Sequence, residues 1–253
     1  SLDGDVTLKG TNAATVLNVF TGITGTATLN GKVSVETSGT GTATIASGDS
    51  LKMLGGLGGT GTLAVNTRNN AGALTLGGDV SGFSGTLNLS GANLYLNADT
   101  PLAGTLNAST AKVTALRKQN VTGTLNAASL AVDGSALSSD GATLTVSNLA
   151  LGADAGVSLD INGNITAGTY TLVSWDNLTA GNFADAGTMT LTGTLASLYQ
   201  GTFNVNTGDK TVTVSVSMAD GVVVWDGNPI GAVNNTTTYL FDGTHTGVAS
   251  LTG

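Results

Sequence analysis

The chain has 253 residues, of which 9% are charged, with 38 Gly, 2 Pro and no Cys. Charge well below the roughly 25% of ordinary soluble domains, combined with so little Pro, excludes both collagen and a solvated disordered tail. The lack of Cys excludes a disulfide framework and a thiolate metal site. The net charge is −8, and after residue 118 ten aspartates face one basic residue, Lys210, so no Lys/Arg stripe is available for phosphates or anionic lipid. Nucleic acid and anionic membrane surfaces are therefore not expected partners.

The opening, Ser1-Leu2-Asp3-Gly4-Asp5, reads as strand and turn rather than as a signal peptide. With the strand-like ending Ser250-Leu251-Thr252-Gly253, it reads as a mature or excised internal stretch of something longer. Asn30-Gly31 marks the first tight turn, and Gly56-Leu57-Gly58-Gly59-Thr60-Gly61 formally matches G-x-G-x-x-G. A dinucleotide site would need a helix next, but Thr62-Leu63-Ala64-Val65 is a strand pattern, so the glycines read as a turn. Leu87-Asn88-Leu89 and Leu94-Tyr95-Leu96 read as short strands bridged by Ser90-Gly91-Ala92-Asn93. Ala108 to Asn120 is the best helical candidate, and it fails for want of helical register. Thr143–Val146, Val157–Ile161, Thr188–Thr192 and Thr211–Val216 alternate apolar and small polar residues, as half-buried strands do. Asp133-Gly134, Asp140-Gly141, Asn162-Gly163, Asp220-Gly221 and Asp226-Gly227 supply bends between them. No apolar run approaches the roughly 18 residues of a membrane-spanning helix.

A Gly-Thr-Leu triplet recurs through this pattern at Gly61, Gly85, Gly104, Gly123 and Gly193, with a looser copy at Gly141-Ala142-Thr143-Leu144. The first steps are 24, 19, 19 and 18 residues, where composition alone predicts roughly one copy by chance. A unit of about twenty residues cannot bury its own apolar face and must stack on copies of itself. The expected fold is all-β: a right-handed parallel β-helix, a solenoid with rungs of about 20 residues. About twelve rungs at about 4.8 Å each predict a rod roughly 55–60 Å long. Eight of the eleven aromatics lie beyond residue 165, and large side chains suit the covering of an open end. The expected organisation is regular rungs over 1–165, aromatic-richer closing rungs over 166–219, and the start of a further β unit over 220–253.

Gly58-Gly59-Thr60-Gly61-Thr62-Leu63 and Ser84-Gly85-Thr86-Leu87-Asn88-Leu89-Ser90-Gly91-Ala92-Asn93 resemble the strand repeats of autotransporter passenger domains. Ala167-Gly168-Thr169-Tyr170-Thr171-Leu172-Val173 resembles the segment that often closes such arrays. The resemblance covers about residues 55–216. It implies a passenger exported to the outer surface of a Gram-negative-type bacterium, serving as adhesin, stalk or carrier. The chain departs from the family layout in lacking a C-terminal barrel and a clear Tyr-Thr-Gly-Gly-Thr-Thr repeat.

The residues offer little catalytic chemistry. The single histidine, His245, sits in Gly243-Thr244-His245-Thr246-Gly247 with no nucleophile elbow elsewhere. Zinc is not expected from one His and no Cys. The Asn-Thr-Asp, Asp-Asp, Gly-His-Gly and Arg-x-Lys constellations of pectin-cleaving β-helices are missing. Asp3 with Asp5, or Asp154 with Asp160, could offer oxygen ligands to calcium, but the nonapeptide calcium repeat is broken at Leu63 and these aspartates read as turn residues. Trp175-Asp176 and Trp225-Asp226, fifty residues apart, suggest two modules with a similar edge.

No catalytic residue, cofactor or metal site is therefore assigned. The expected function is a non-enzymatic structural or adhesive passenger or stalk on the bacterial cell surface. Its expected partners are host or environmental glycans or matrix proteins, and other copies of itself through open β-helix ends. A self-assembling subunit of a surface layer or filament is the alternative, and a polysaccharide-acting β-helix enzyme is the third reading.

Overall fold

The structure is a computed structural model that describes residues 1–11, 14–19, 25–38, 42–47, 50–67, 72–219, 222–223 and 249–250. Among the described residues the chain is all-β, and only three-residue 3-10 turns interrupt the strands. In chain order these are β1 (Val6–Thr11), β2 (Ala14–Val19), β3 (Thr26–Leu29), β4 (Val33–Ser38), β5 (Thr42–Ser47), β6 (Ser50–Met53) and β7 (Leu57–Gly59). Next come β8 (Thr62–Asn66), β9 (Ala73–Gly78), β10 (Thr86–Ser90), β11 (Asn93–Ala98), β12 (Thr105–Ala115) and β13 (Gln119–Asp133). The series ends with β14 (Leu144–Leu151), β15 (Val157–Asp160), β16 (Gly168–Ala180), β17 (Thr190–Thr192), β18 (Tyr199–Asn206), β19 (Thr211–Met218), β20 (Val222–Val223) and β21 (Ala249–Ser250).

The strands are joined in parallel ladders that the chain visits in rotation. One ladder runs β2, β5, β8, β10, β12, β13, β14, β16. A second runs β3, β6, β9, β11 and then the later halves of β12 and β13, followed by β15 and β17. A third begins as β1, β4, β7, continues through the bridges Gly59 to Phe83 and Leu102 to Val121, and is taken up by the first residues of β13, β14 and β16. β10 and β11 are neighbours in sequence but lie in different ladders, so the short loop between them makes a corner rather than a hairpin.

Register explains the repeat. In the first ladder Thr62, Thr86, Thr105 and Thr124 lie one above another, and beside them Leu63, Leu87, Leu106 and Leu125. The leucine column is buried and the threonine column half-buried, the alternation expected of strands with one face on a core. Further columns line the interior: Val65, Leu89, Ala108, Ala127 and Leu151 on the first ladder, and Leu29, Met53, Leu76, Leu96, Ala115, Val132 and Leu159 on the second. Each buried Leu or Val contributes about 1.5–3 kcal/mol relative to exposure, so the small aromatic content costs the core little.

The glycine of the triplet answers a different need. A Cβ on Gly85 would lie 2.0 Å from the carbonyl oxygen of Gly61, and one on Gly123 would lie 2.1 Å from that of Gly104. Backbone rests directly on backbone at this point, and no side chain fits between the two segments. Gln119, buried among apolar neighbours, serves a second corner. Its amide oxygen accepts from the Ala98 N–H at 3.3 Å, and its Nε2 donates to the Ala98 carbonyl at 3.1 Å. The side chain thereby does what a β-bridge would do and leaves no orphaned backbone group.

Two expected copies of the triplet fall elsewhere. Leu144 pairs with Gln119 and Val173 on the third ladder, and the place above Thr124-Leu125 is taken by Asn148-Leu149. Gly193-Thr194-Leu195 lies past the end of β17, where Leu195 N–H donates to Ile161 O. Spacing is also less even than the triplets suggest: steps along the first ladder are 28, 20, 24, 19, 19, 24 and 29 residues. Its eight parallel strands advance about 34 Å at about 4.8 Å per step, short of the expected rod. Parallel pairing stops at β16, which pairs antiparallel with β19, itself antiparallel to β18. Around that change Trp175 and Phe183 pack with ring centroids 4.8 Å apart, Tyr199 and Phe203 are buried, and Tyr199 Oη accepts from Ile165 N–H at 3.1 Å. Of the last expected unit, 220–253, only β20 and β21 are described, as an antiparallel pair.

The glycine column makes a direct prediction. Gly85→Ala and Gly123→Ala will each destabilise the fold by about 1–3 kcal/mol or more, the cost of overpacking a site that cannot yield. Gly163→Ala, where an added Cβ meets nothing within 4 Å, will change stability by less than about 0.5 kcal/mol. Urea unfolding midpoints of the three variants check this.

Candidate functional site

Two outward features of the ladders carry polar groups in order. The first is the displayed face of the first ladder. Beside the threonine column, Asn88, Asn107 and Asn126 stand in register, half-buried, and Asn107 Nδ2 donates to Asn88 Oδ1 at 3.0 Å. The threonine column continues into Asn148 and Asn177, where Asn177 Nδ2 donates to Asn148 Oδ1 at 3.2 Å. Like residues stack because each backbone hydrogen bond fixes the next copy at the same height. The amides then satisfy one another along the column, leaving a flat, uncharged face of hydroxyls and amides.

The second feature is a cleft of about 280 Å³ on the outer face of the second ladder. Its floor is Ser129, Leu130, Gly156 and Val157; Lys112 closes one side, and Thr188, Met189 and Thr190 close the other. Register builds it: Lys112 pairs with Ser129, and Leu130 pairs with Val157, which sets Gly156 beside Ser129. The facing wall follows the 3-10 turn Ala186–Thr188, which Asp185 caps by accepting from Gly187 N–H at 2.8 Å. Asp160 stands at the rim, its carboxylate 3.5 Å from the Lys112 ammonium. It also accepts from Ser158 Oγ at 3.4 Å and from the Thr192 hydroxyl. The lining thus offers one ammonium and the hydroxyls of Ser129, Ser158, Thr190 and Thr192, with the Asp160 carboxylate behind them, bonded to Lys112, Ser158 and Thr192. This set can hold a polar ligand by hydrogen bonds.

The residues considered on sequence grounds are dispersed. Asp154 and Asp160 do not converge: Asp154, at φ 52°, accepts from Asn182 Nδ2 at 2.7 Å, while Asp160 turns to Lys112. Asp3 accepts from Asn30 Nδ2 at 2.6 Å and Asp5 from Lys32 N–H at 2.8 Å, each tying the start of the chain to the Asn30-Gly31 turn. Among the described residues no group of three His, Asp or Glu could hold a metal ion. Gly56 and Gly59, at φ 100° and 98°, shape turns around β7 and lead into strand β8. Trp175 is buried and Asp176 exposed. His245, Trp225 and Asp226 lie outside the described residues. Lys112 was not visible as a site residue, because its partner Asp160 is 48 positions away. Only the ladder register from β12 through β13 to β15 brings the two together. No helix among the described residues is long and apolar enough to cross a membrane.

The chain matches no protein-family model, no curated protein and no solved structure.

One carboxylate departs clearly from ordinary behaviour. Asp79 accepts from Ser81 Oγ at 2.7 Å, Ser81 N–H at 3.0 Å and Thr100 Oγ1 at 2.9 Å, with Lys32 Nζ 3.7 Å away. These bonds, those from Ser81 foremost, hold its carboxyl well below the usual carboxylate range. Because the folded form releases this proton more readily than the unfolded chain, Asp79 favours folding above the ordinary carboxylate range. That contribution fades as pH falls through and below it. Asp79→Asn will therefore lower stability at neutral pH and flatten the acid limb of the stability curve. Thermal melts of both proteins from pH 7 to pH 2 check the sign.

Proposed function

We propose that the three ladders are the faces of a right-handed parallel β-helix, and that the chain acts as a non-enzymatic surface passenger or stalk. What supports the coil is the rotation of the chain through the ladders, one strand to each in turn, with parallel pairing at every step from β2 to β16. Parallel crossovers are right-handed in about 98% of cases. The observation that carries the functional reading is the in-register display of Thr and Asn on the first ladder. A stack of rungs presents hydroxyls and amides at successive levels, Thr62 to Thr124 in one column and Asn88 to Asn126 in the other, a face suited to many shallow contacts with a glycan or matrix protein. The antiparallel strands β18 and β19 and the buried aromatics beside β16 close the array over 166–219 in this reading. Export to a bacterial surface rests on the resemblance to autotransporter passengers.

A second reading has its own support. Among the described residues β18 pairs on one side only, with β19, and its sequence Tyr-Gln-Gly-Thr-Phe-Asn-Val-Asn carries no charge. Uncharged edges of this kind are templates for another strand. Copies joined β18 to β18 would close as a dimer, and β18 laid on the opposite end of another copy's ladders would propagate a filament.

Two measurements separate these readings. Small-angle scattering of the purified chain will give an elongated profile, and a panel of immobilised glycans and matrix proteins will retain it. A compact sphere in scattering would sink the coil, and no retention on any surface would leave only a spacer role. Sedimentation of concentrated protein will show larger species if β18 pairs between copies. Thr202→Lys, which places a charge on that edge, will abolish them.

A further inference from the structure

We infer that the cleft between Lys112 and the Thr188–Thr190 segment is a binding site for one neutral sugar ring. The inference deepens the adhesive reading above by naming a ligand class and a place for it.

The first support is a glycine with no structural reason to be one. A Cβ on Gly156 would meet nothing within 4 Å, and its φ lies outside the left-handed region. This contrasts with Gly85, Gly104 and Gly123, where backbone or a ring fills that space. A side chain here would rise into the cleft, so the bare backbone at Gly156 is what keeps the floor open.

The second support is the chemistry of the walls. Lys112 is balanced by Asp160 at 3.5 Å, so the site carries a donor and an acceptor but little net charge. The Asp160 side chain is 18% exposed, and its other contacts, Ser158 and Thr192, are hydroxyls. Adjacent donor and acceptor match the vicinal hydroxyls of a sugar, each of which donates and accepts. Leu130, Val157 and Met189 are the apolar residues of the lining, available to the C–H face of a ring. An anion is disfavoured by the net charge of −8 and by the carboxylate at the rim.

The third support is size. About 280 Å³ falls just below the range of drug-sized ligand pockets, about 300–1,000 Å³. It fits one ring, and the open sides let a longer glycan continue along the face.

The test uses the full 253-residue chain and the methyl glycosides of glucose, galactose, mannose and N-acetylglucosamine, read by amide shifts in two-dimensional NMR. One glycoside is expected to shift the Ser129, Gly156, Ser158 and Thr190 amides saturably. Gly156→Val, which fills the floor, and Lys112→Met, which removes the donor, will each weaken this binding at least about tenfold, the loss of one good hydrogen bond or more. Unchanged thermal melts will show that both variants fold. No cleft shift with any glycoside, shifts confined to other amides, equal binding by Gly156→Val, or a response to acetate or phosphate in place of sugar would each overturn the inference. Retention of Gly156→Val on a glycan or matrix surface that binds the parent chain would show that the threonine and asparagine face adheres without the cleft, so the two readings fail separately.

Discussion

The structure depends on backbone resting directly on backbone at the corner that begins each Gly-Thr-Leu triplet. Where Gly85 sits over Gly61, and Gly123 over Gly104, no room remains even for a methyl group. That contact fixes the spacing of each strand from its neighbour in the ladder, and the register of the following strand comes with it. Once Thr86 is held level with Thr62 and Thr105, the leucine that follows must point inward and the asparagine after it outward. A slip of one residue would turn every leucine to solvent. The corner and the core therefore specify the same register, and this agreement between local and global demands is what marks a sequence that folds to one structure.

The same constraint explains what was legible beforehand. The all-β class and the stacking of Gly61, Gly85, Gly104 and Gly123 could be read from the triplet, because corner, outward residue and inward residue are all written in three letters. Thr143-Leu144 carries nearly the same letters without the corner contact, and Thr194-Leu195 keeps a contact, Gly193 on the Ile161 backbone, without a strand to follow it. At Leu144 the third ladder takes the strand, and at Leu195 a turn does. Both glycines adopt positive φ, 78° at Gly141 and 99° at Gly193, where those of the regular copies do not, and the three letters carry no sign of that difference. The variable step, 19 residues in the middle and up to 29 towards the ends, was hidden for a related reason. Extra residues go into corners, where turn chemistry accepts them without disturbing the inward columns.

The polar sites were harder to read. Asp154 and Asp160, six residues apart on one strand-and-turn segment, look like a pair in sequence. The positive φ at Asp154 turns its side chain to Asn182 across one corner, while Asp160 remains on the strand and faces Lys112. Lys112 sits within Ala108 to Asn120, where helical periodicity was sought and not found. A strand through this stretch alternates its residues, so Lys112 reaches the outer side while Ala111, Val113 and Ala115 line the interior. The outward positions acquire meaning only when neighbouring strands are laid beside them in register.

The low charge of the chain follows from this architecture. Parallel strands in register place like residues at about 4.8 Å intervals, so a charged residue in the repeated triplet would set a column of like charges side by side. Hydroxyls and amides can occupy such a column because each is both donor and acceptor, as Asn107 and Asn88 show. Charges are admitted where opposite signs meet across turns: Lys9 with Glu36, Lys32 with Asp79, Arg117 with Asp99, and Lys112 with Asp160. The first three are well exposed and contribute little. The fourth is set apart by its setting, since its carboxylate is largely covered and it borders a cleft whose floor is left bare by a glycine that packing does not require. A repeating face is uniform by construction, and selectivity for a particular ligand has to come from a place where the repeat is broken. Between β12 and β17, on the second ladder, the side chains give way to Lys112, Gly156 and Asp160, a grouping that the threonine and asparagine columns of the first ladder do not contain.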